Sequence, residues 1–298
     1  MTLRHLEIFK AVCEESNMTR AAERLHMTQP AVTRAIHELE KHYGVILFDR
    51  IYHRLTLTEE GKILYARAIH ITEHFSLAEK ELRNPDAVKT IRIGASITLG
   101  NYFMPAFISA FQQKHENTRL YVKVARGHTL VDLLRANSLD LAFIETYISD
   151  PDMVSRVFST NEMVLVLRKD HPLTRREHIM LADVVSWPLL LRQPGSVGRD
   201  HVDAVLKANG YECDPLWESA SSQALLRAVK AGHGIAILPD QLVHDTEDKC
   251  DLAIRKIEDV SMVRKNTIVY HKNKYLSPLL KELIADCQKE TGDGSLFQ

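Results

Sequence analysis

Gln29, Thr33 and Arg34 stand together in the segment Thr28-Gln29-Pro30-Ala31-Val32-Thr33-Arg34. Their chemistry suits base-edge recognition. Glutamine pairs with adenine through two hydrogen bonds, arginine does the same with guanine, and threonine can meet a thymine methyl or a phosphate. Arg50 and Arg54, further along, suit phosphate or minor-groove contact. A second set of polar residues lies downstream. Ser96 and Thr98 follow one β-prone run, and Arg192 and Ser196 follow another, each ahead of a helical segment. Thr129 precedes a further helix, Ser221 sits at a Ser-Ser-Gln turn, and Glu145 ends a strand. Hydroxyls and amides at helix starts, with one arginine, make a site for a small anion. Glu145 at the mouth of such a site would either repel an anion or bind an amine group. The competing reading of each hydroxyl is an ordinary helix N-cap.

Catalytic and metal constellations do not assemble. Gly195-Ser196-Val197-Gly198 has Pro194 where a nucleophile elbow needs glycine. Gly232-His233-Gly234 precedes a strand and reads as a helix end rather than a phosphate loop. No histidine forms an HExxH or a metal pair with a carboxylate at ligand spacing, and His233 and His271 read as surface or satisfied residues. Cys13, Cys213, Cys250 and Cys287 are far apart, which disfavours a zinc site or a disulfide framework and fits a reducing cytoplasm. A redox-sensing Cys213 or Cys250 is the alternative use of a thiol. No metal and no cofactor are expected.

The elements that position the first set are helical. Leu3, Leu6, Phe9, Val12 and Cys13 recur at helical spacing, so Thr2–Glu15 is predicted as an amphipathic helix. Thr19–Leu25 gives a short second helix carrying the small pair Ala21-Ala22, and His26-Met27 makes a tight turn. Thr28 then occupies an N-cap position, and Pro30 is tolerated in the first turn, where amides have no intrahelical partner. Val32, Ile36 and Leu39 continue the apolar face to Tyr43-Gly44. Val45–Phe48 and Arg54–Leu57 are β-prone around a polar tip, Asp49–His53, and read as a small wing. Small residues at the helix crossing, and polar ones on the first turns of the following helix, are what a helix-turn-helix requires. Residues 1–58 carry 8 Lys+Arg and 7 Asp+Glu. So slight an excess favours a plain helical domain with a solvated polar face. The acids Glu7, Glu14, Glu15, Glu38 and Glu40 avoid the Gln29–Arg34 turn, however, and this placement outweighs the charge count in favour of DNA.

Thr58-Glu59-Glu60 starts another helix, a hydroxyl cap followed by two carboxylates on the positive end of the dipole. It runs to about Arg83, where Asn84-Pro85 stops it. Leu64, Ala68, Ile71, Phe75, Ala78 and Leu82 fall 4, 3, 4, 3 and 4 residues apart. That heptad stripe is read as a dimer seam rather than a face lying on its own domain, because the preceding segment is too small to cover it. From Thr90, strands alternate with helices, which predicts a mostly parallel α/β sheet. The strands fall at Ile91–Ala95, Leu120–Ala125, Leu139–Ile144, Glu162–Leu167, Leu189–Arg192, Leu216–Ala220 and Ile235–Leu238, with one more closing at Tyr270. Tyr102–His115 and Val197–Asn209 are among the helices, and Pro278–Lys289 is the last. Two lobes with crossings near 145–162 and 260–270 would enclose a cleft, with ligands outside the carboxyl ends of the strands.

Ala21-Ala22-Glu23-Arg24-Leu25, Thr28 through Arg34, Leu39-Glu40, Gly44, Leu47-Phe48-Asp49-Arg50 and Leu57-Thr58-Glu59-Glu60-Gly61 together resemble the N-terminal signature of LysR-type transcriptional regulators. The resemblance covers the whole chain. It implies an all-α winged helix-turn-helix (1–58), a linker and dimerisation helix (59–89), and an effector-binding α/β domain (90–298) like a periplasmic binding protein. Lobe one would span about 90–160 and 266–298, and lobe two about 161–265. The family often has a second arginine three residues after Arg50; here His53 stands there with Arg54 beside it, and either could make that backbone contact. The implied partners are double-stranded DNA, a small-molecule co-inducer, a homodimer or dimer of dimers, and RNA polymerase.

Composition agrees with a folded chain, 45% hydrophobic and 26% charged, and a length of 298 residues suggests about two domains. No apolar run approaches the ~18 residues of a membrane span. Met1–Lys10 is charged throughout and is no signal peptide. A solute-binding protein is disfavoured by that and by the N-terminal helices. An α/β enzyme with a helical appendage is disfavoured by the missing catalytic constellation.

Overall fold

The computed structural model describes residues 1–51, 54–83, 89–244 and 251–292; His53 and Cys250 lie outside them. The chain divides into two compact units. One is Met1–Lys89 with Arg135–Ser138 and Asn273–Tyr275, and the other is Thr90–Leu134, Leu139–Lys272 and Leu276–Gln298.

In the first unit α1 (Leu3–Glu15), α2 (Met18–Arg24) and α3 (Gln29–Tyr43) surround Leu6, Phe9, Val12, Ala21, Ala22, Val32, Ile36 and Leu39. Asn17 caps α2, its Oδ1 accepting the amides of Thr19 and Arg20 at 2.8 and 3.1 Å. The wing pairs β1 (Phe48–Ile51) with β2 (Arg54–Leu57) antiparallel, Phe48 opposite Leu57. Its first strand starts three residues later than the expected Val45. The Val45 amide instead donates to the Glu40 carbonyl and the Leu47 amide to Glu40 Oε1. The carbonyls of Ile46 and Leu47 accept the Thr58 hydroxyl and amide. With those groups engaged in ending α3 and starting the next helix, no ladder can form there.

That next helix, α4 (Glu59–Arg83), begins with the Gly61 amide donating to Thr58 Oγ1 at 2.9 Å. A Cβ on Gly61 would lie 2.2 Å from the Leu47 carbonyl oxygen, so only glycine lets the helix pass this close. The heptad stripe splits in two. Leu64 packs on the core of the first unit and Ala68 is fully buried in it, so these two hold α4 to its own chain and are withdrawn from the expected seam. Ile71, Phe75 and Leu82 are 47, 49 and 83% exposed, and Ala78 is exposed as well. The apolar spacing was uniform; the three-helix core reaches only the first two positions.

The second unit carries β3 (Lys89–Ala95), α5 (Ile97–Tyr102), α6 (Met104–Lys114), β4 (Thr118–Val124), α7 (Gly127–Arg135) and β5 (Leu141–Ile144). It continues through β6 (Met153–Arg168), α8 (Leu181–Val185), β7 (Leu189–Arg192), α9 (Val197–Ala208), β8 (Trp217–Ser219) and α10 (Ser222–Lys230). The last elements are β9 (Ile235–Pro239), α11 (Asp240–His244), β10 (Leu252–Arg255), β11 (Val263–His271) and α12 (Pro278–Gly292). The expected helix over Tyr102–His115 is α6, which starts only at Met104, with Pro105, which has no amide hydrogen, in its first turn; Tyr102 instead ends the separate helix α5.

The strands run in the order β4-β3-β5-β11-β6-β9-β7-β8, with β10 on β6. β3 pairs with β5, and β7 with β8 and β9, in parallel, but β11 is antiparallel to both β5 and β6, and β6 to β9 and β10. The sheet is therefore mixed rather than mostly parallel. The chain leaves one lobe on β6 and returns on β11 beside it, and an outward and a returning strand side by side must oppose each other. Their register shifts between Asn266 and Thr267. One lobe packs around Phe103, Phe107, Phe111, Phe143 and Phe158, the other around Leu165, Leu167, Leu189, Leu191, Ile235 and Ile237.

Candidate nucleic-acid interface and effector cleft

The face of α3 opposite Val32, Ile36 and Leu39 is exposed. Gln29, Pro30, Thr33, Arg34, His37, Glu38 and Lys41 line a shallow open groove on it. Thr28 precedes the helix in extended conformation, as an N-cap should, but its side chain makes no cap hydrogen bond. Gln29 Nε2 donates to Thr33 Oγ1 at 2.8 Å. Arg34 Nε donates to Glu38 Oε1 at 2.9 Å. Glu38 therefore does not avoid the recognition turn; one helical turn beyond Arg34, it is paired with it. His37 and Lys41 were not singled out from the sequence. The signal was present, because Gln29, Thr33, His37 and Lys41 repeat every four residues along one face. In the wing, Arg50 sits on β1 opposite Leu55, and Arg54 on β2 opposite Ile51.

The second unit holds a cavity of about 50 Å³ whose lining includes Ser96, Thr98, Arg126, Glu145, Arg192, Ser196 and Arg264. Five of the seven residues expected at a ligand site are thus brought together. Thr129 and Ser221 are not among the lining residues. Thr129 is half-buried within α7, and Ser221 Oγ accepts the Ala224 amide as the N-cap of α10. Ser196 caps α9, accepting the Arg199 amide at 3.2 Å, and its hydroxyl hydrogen can still be given to a ligand. Gly195, with φ +76°, makes the turn that carries the chain from β7 into α9. Ser96 is different. It is 3% exposed, stands where a cap would, makes no cap bond, and its Oγ has no hydrogen-bond partner.

Charge in the cavity comes from three arginines and one carboxylate. Glu145 does not stand open at the mouth: it is 5% exposed and accepts from Arg264 Nη2 at 3.2 Å. Arg192 donates through Nη1 to Ser222 Oγ at 2.7 Å. The Nε atoms of both Arg192 and Arg264 are buried without a partner. Burial pulls the Arg192 guanidinium below its ordinary value; Glu145 opposes that, and Arg264 and Arg126 reinforce it. Arg264 and Arg126 escaped the sequence reading. Arg126 directly precedes α7, and Arg264 lies on the returning strand far from every other lining residue in sequence.

The thiols offer no reactive site among the described residues. Burial pushes Cys13 and Cys213 up, away from thiolate, and Cys287 is fully buried in a core. No group of three metal-binding side chains occurs among the described residues, and no helix there is long and apolar enough to cross a membrane.

Residues 3–62 match the bacterial regulatory helix-turn-helix domain of the lysR family, and residues 86–292 match the LysR substrate binding domain. The chain belongs to the LysR family. Among its relatives, the HTH-type transcriptional regulator YeiE of Escherichia coli (strain K12) is 29% identical over 287 residues, which is 96% of this chain and 97% of YeiE. The HTH-type transcriptional regulator CfxR of Cupriavidus necator is 34% identical over 243 residues, 80% of this chain and 75% of CfxR. Among solved structures, full-length OxyR from Pseudomonas aeruginosa superposes with a TM-score of 0.70 at 26% identity, over 97% of this chain and 98% of OxyR. This LysR-family chain is a DNA-binding transcription regulator with an effector-binding domain, not an enzyme.

Proposed function

We propose that this regulator reads its operator through Gln29, Thr33 and Arg34 of α3, with Thr28 and Pro30 at the helix entry, and grips the DNA backbone through Arg50 and Arg54 of the wing. Two copies pair along Ile71, Phe75, Ala78 and Leu82 of α4, alone or as a dimer of dimers. That places two recognition helices about one DNA turn, or a multiple, apart. The setting is the cytoplasm, with RNA polymerase as a further partner at the promoter.

The effector is a small anion held in the cavity by Ser96, Thr98, Ser196 and Arg192, with Arg264 and Arg126 adding positive charge. The observation that carries this reading is the imbalance of three arginines over one carboxylate, Glu145, combined with buried Nε and Oγ donors that have no partner. Buried donors left unsatisfied cost free energy that a bound anion recovers. By binding one arrangement of the lobes better than another, the anion shifts operator affinity by no more than that difference.

Gel-shift titration of the full chain on its own upstream DNA, with and without a panel of small acids, tests both halves. Arg34→Ala should weaken specific binding by roughly 5- to 150-fold. Arg192→Ala should leave operator binding without acid intact and abolish the response to it. An acid response that survives in Arg192→Ala would place the effector elsewhere.

A further inference from the structure

Arg34 is held rather than free. Its Nε donates to Glu38 Oε1, and the other oxygen of that carboxylate, Oε2, lies 3.0 Å from Nε2 of His5 on α1. The imidazole is fixed in turn, with Nδ1 2.8 Å from Thr2 Oγ1 and accepting the Thr2 amide at 3.3 Å. With Nδ1 as acceptor, the neutral ring carries its proton on Nε2 and donates it to Glu38. Thr2, His5, Glu38 and Arg34 thus form a relay from the start of α1 to the guanidinium on α3. The contact with His5 first, then that with Arg34, holds the Glu38 carboxyl below the usual range, so it stays an acceptor near neutral pH.

A guanidinium can meet the O6 and N7 of guanine through its two Nη groups or through Nε and one Nη. With Nε given to Glu38, only the Nη edge is left. We propose that Glu38, held by His5, is a specificity-determining positioning residue that presents the Nη edge of Arg34 to a guanine. This rests on the reading of α3 as the helix in the major groove. The pair is exposed and adds little to stability, since an i,i+4 ion pair at the surface holds a helix only weakly. Its effect is on the orientation of a reading group. A carboxylate that merely lay nearby would repel phosphates and lower affinity for every sequence alike. A clamp separates the right base from the wrong one.

The test uses the full chain and a preferred site selected by it from random-sequence duplexes. Affinity is measured by fluorescence anisotropy for that site, for the site with single guanines replaced, and for unrelated DNA. The relevant guanine is the one whose replacement no longer matters in Arg34→Ala. Glu38→Ala is expected to reduce the preference for that guanine about tenfold, while affinity for unrelated DNA holds or rises. His5→Ala should move the preference the same way by less, and unchanged melting curves show that neither variant acts through unfolding. Equal gains on all three DNAs in Glu38→Ala, with the preference intact, overturn the clamp. If Arg34→Ala loses the preference and Glu38→Ala keeps it, the clamp alone is wrong. If the wild type shows no preference for any sequence, the major-groove reading fails as well.

Discussion

Ile71→Asp should convert the protein to a monomer in light scattering and lower operator affinity by roughly 10²- to 10⁴-fold. The size follows from losing the second of two linked DNA contacts, which removes an effective concentration rather than a single bond. The substitution puts a carboxylate at the first position of the exposed stretch Ile71, Phe75, Ala78 and Leu82, where pairing would strip it of water. Ala68→Asp serves as the contrast. Ala68 is fully buried in the first unit, so its replacement should unfold the DNA-binding domain itself, visible as a loss of helical signal. Ile71→Asp should keep that signal. A wild-type chain that is monomeric at micromolar concentration, or an Ile71→Asp variant that remains a dimer, would show that copies meet elsewhere.

Arg264→Met should destabilise the effector-binding domain by about 3–5 kcal/mol in chemical denaturation, because it leaves the Glu145 carboxylate buried and unpaired. Both partners are nearly inaccessible, their side chains 3 and 5% exposed, so little water can replace the lost guanidinium. Changing both, Arg264→Met with Glu145→Leu, should recover most of the loss, since two apolar side chains there need no counterion. Anion binding should stay weak in the double variant, which lacks one of the three cavity arginines. A single variant as stable as the wild type would mean that Glu145 finds water or another donor, and that the pair is no structural element of the cavity.

The two halves of the protein were legible to different degrees. Helices α1 to α3 were marked by their own residues, through apolar spacing, the Ala21-Ala22 pair and the Thr28 and Gly44 boundaries, and the structure places them within a residue or two. Ser96, Thr98, Arg192 and Ser196 were found as candidates because strand-to-helix junctions are local patterns, and Glu145 because it ends a strand; the cavity gathers all five. Thr129 and Ser221 were read from the same kind of pattern and do not line it: α7 begins at Gly127, which puts Thr129 inside the helix, and Ser221 caps α10, and an N-cap looks alike in sequence whether or not its helix points into a cleft.

What the sequence determined by itself was therefore what neighbours along the chain determine: helix and strand types, the recognition turn, the heptad spacing, and the family signature that names the domains. The tertiary structure decided what depends on distant segments meeting. It set β6 and β11 antiparallel and brought Arg264 onto Glu145 across 119 positions. It buried Ala68 while leaving Ile71 exposed on the same stripe, and it drew His5 of α1 onto Glu38 of α3. A periodic pattern states which side chains share a face. What lies against that face, protein, solvent or a buried charge, is fixed only when the whole chain has packed.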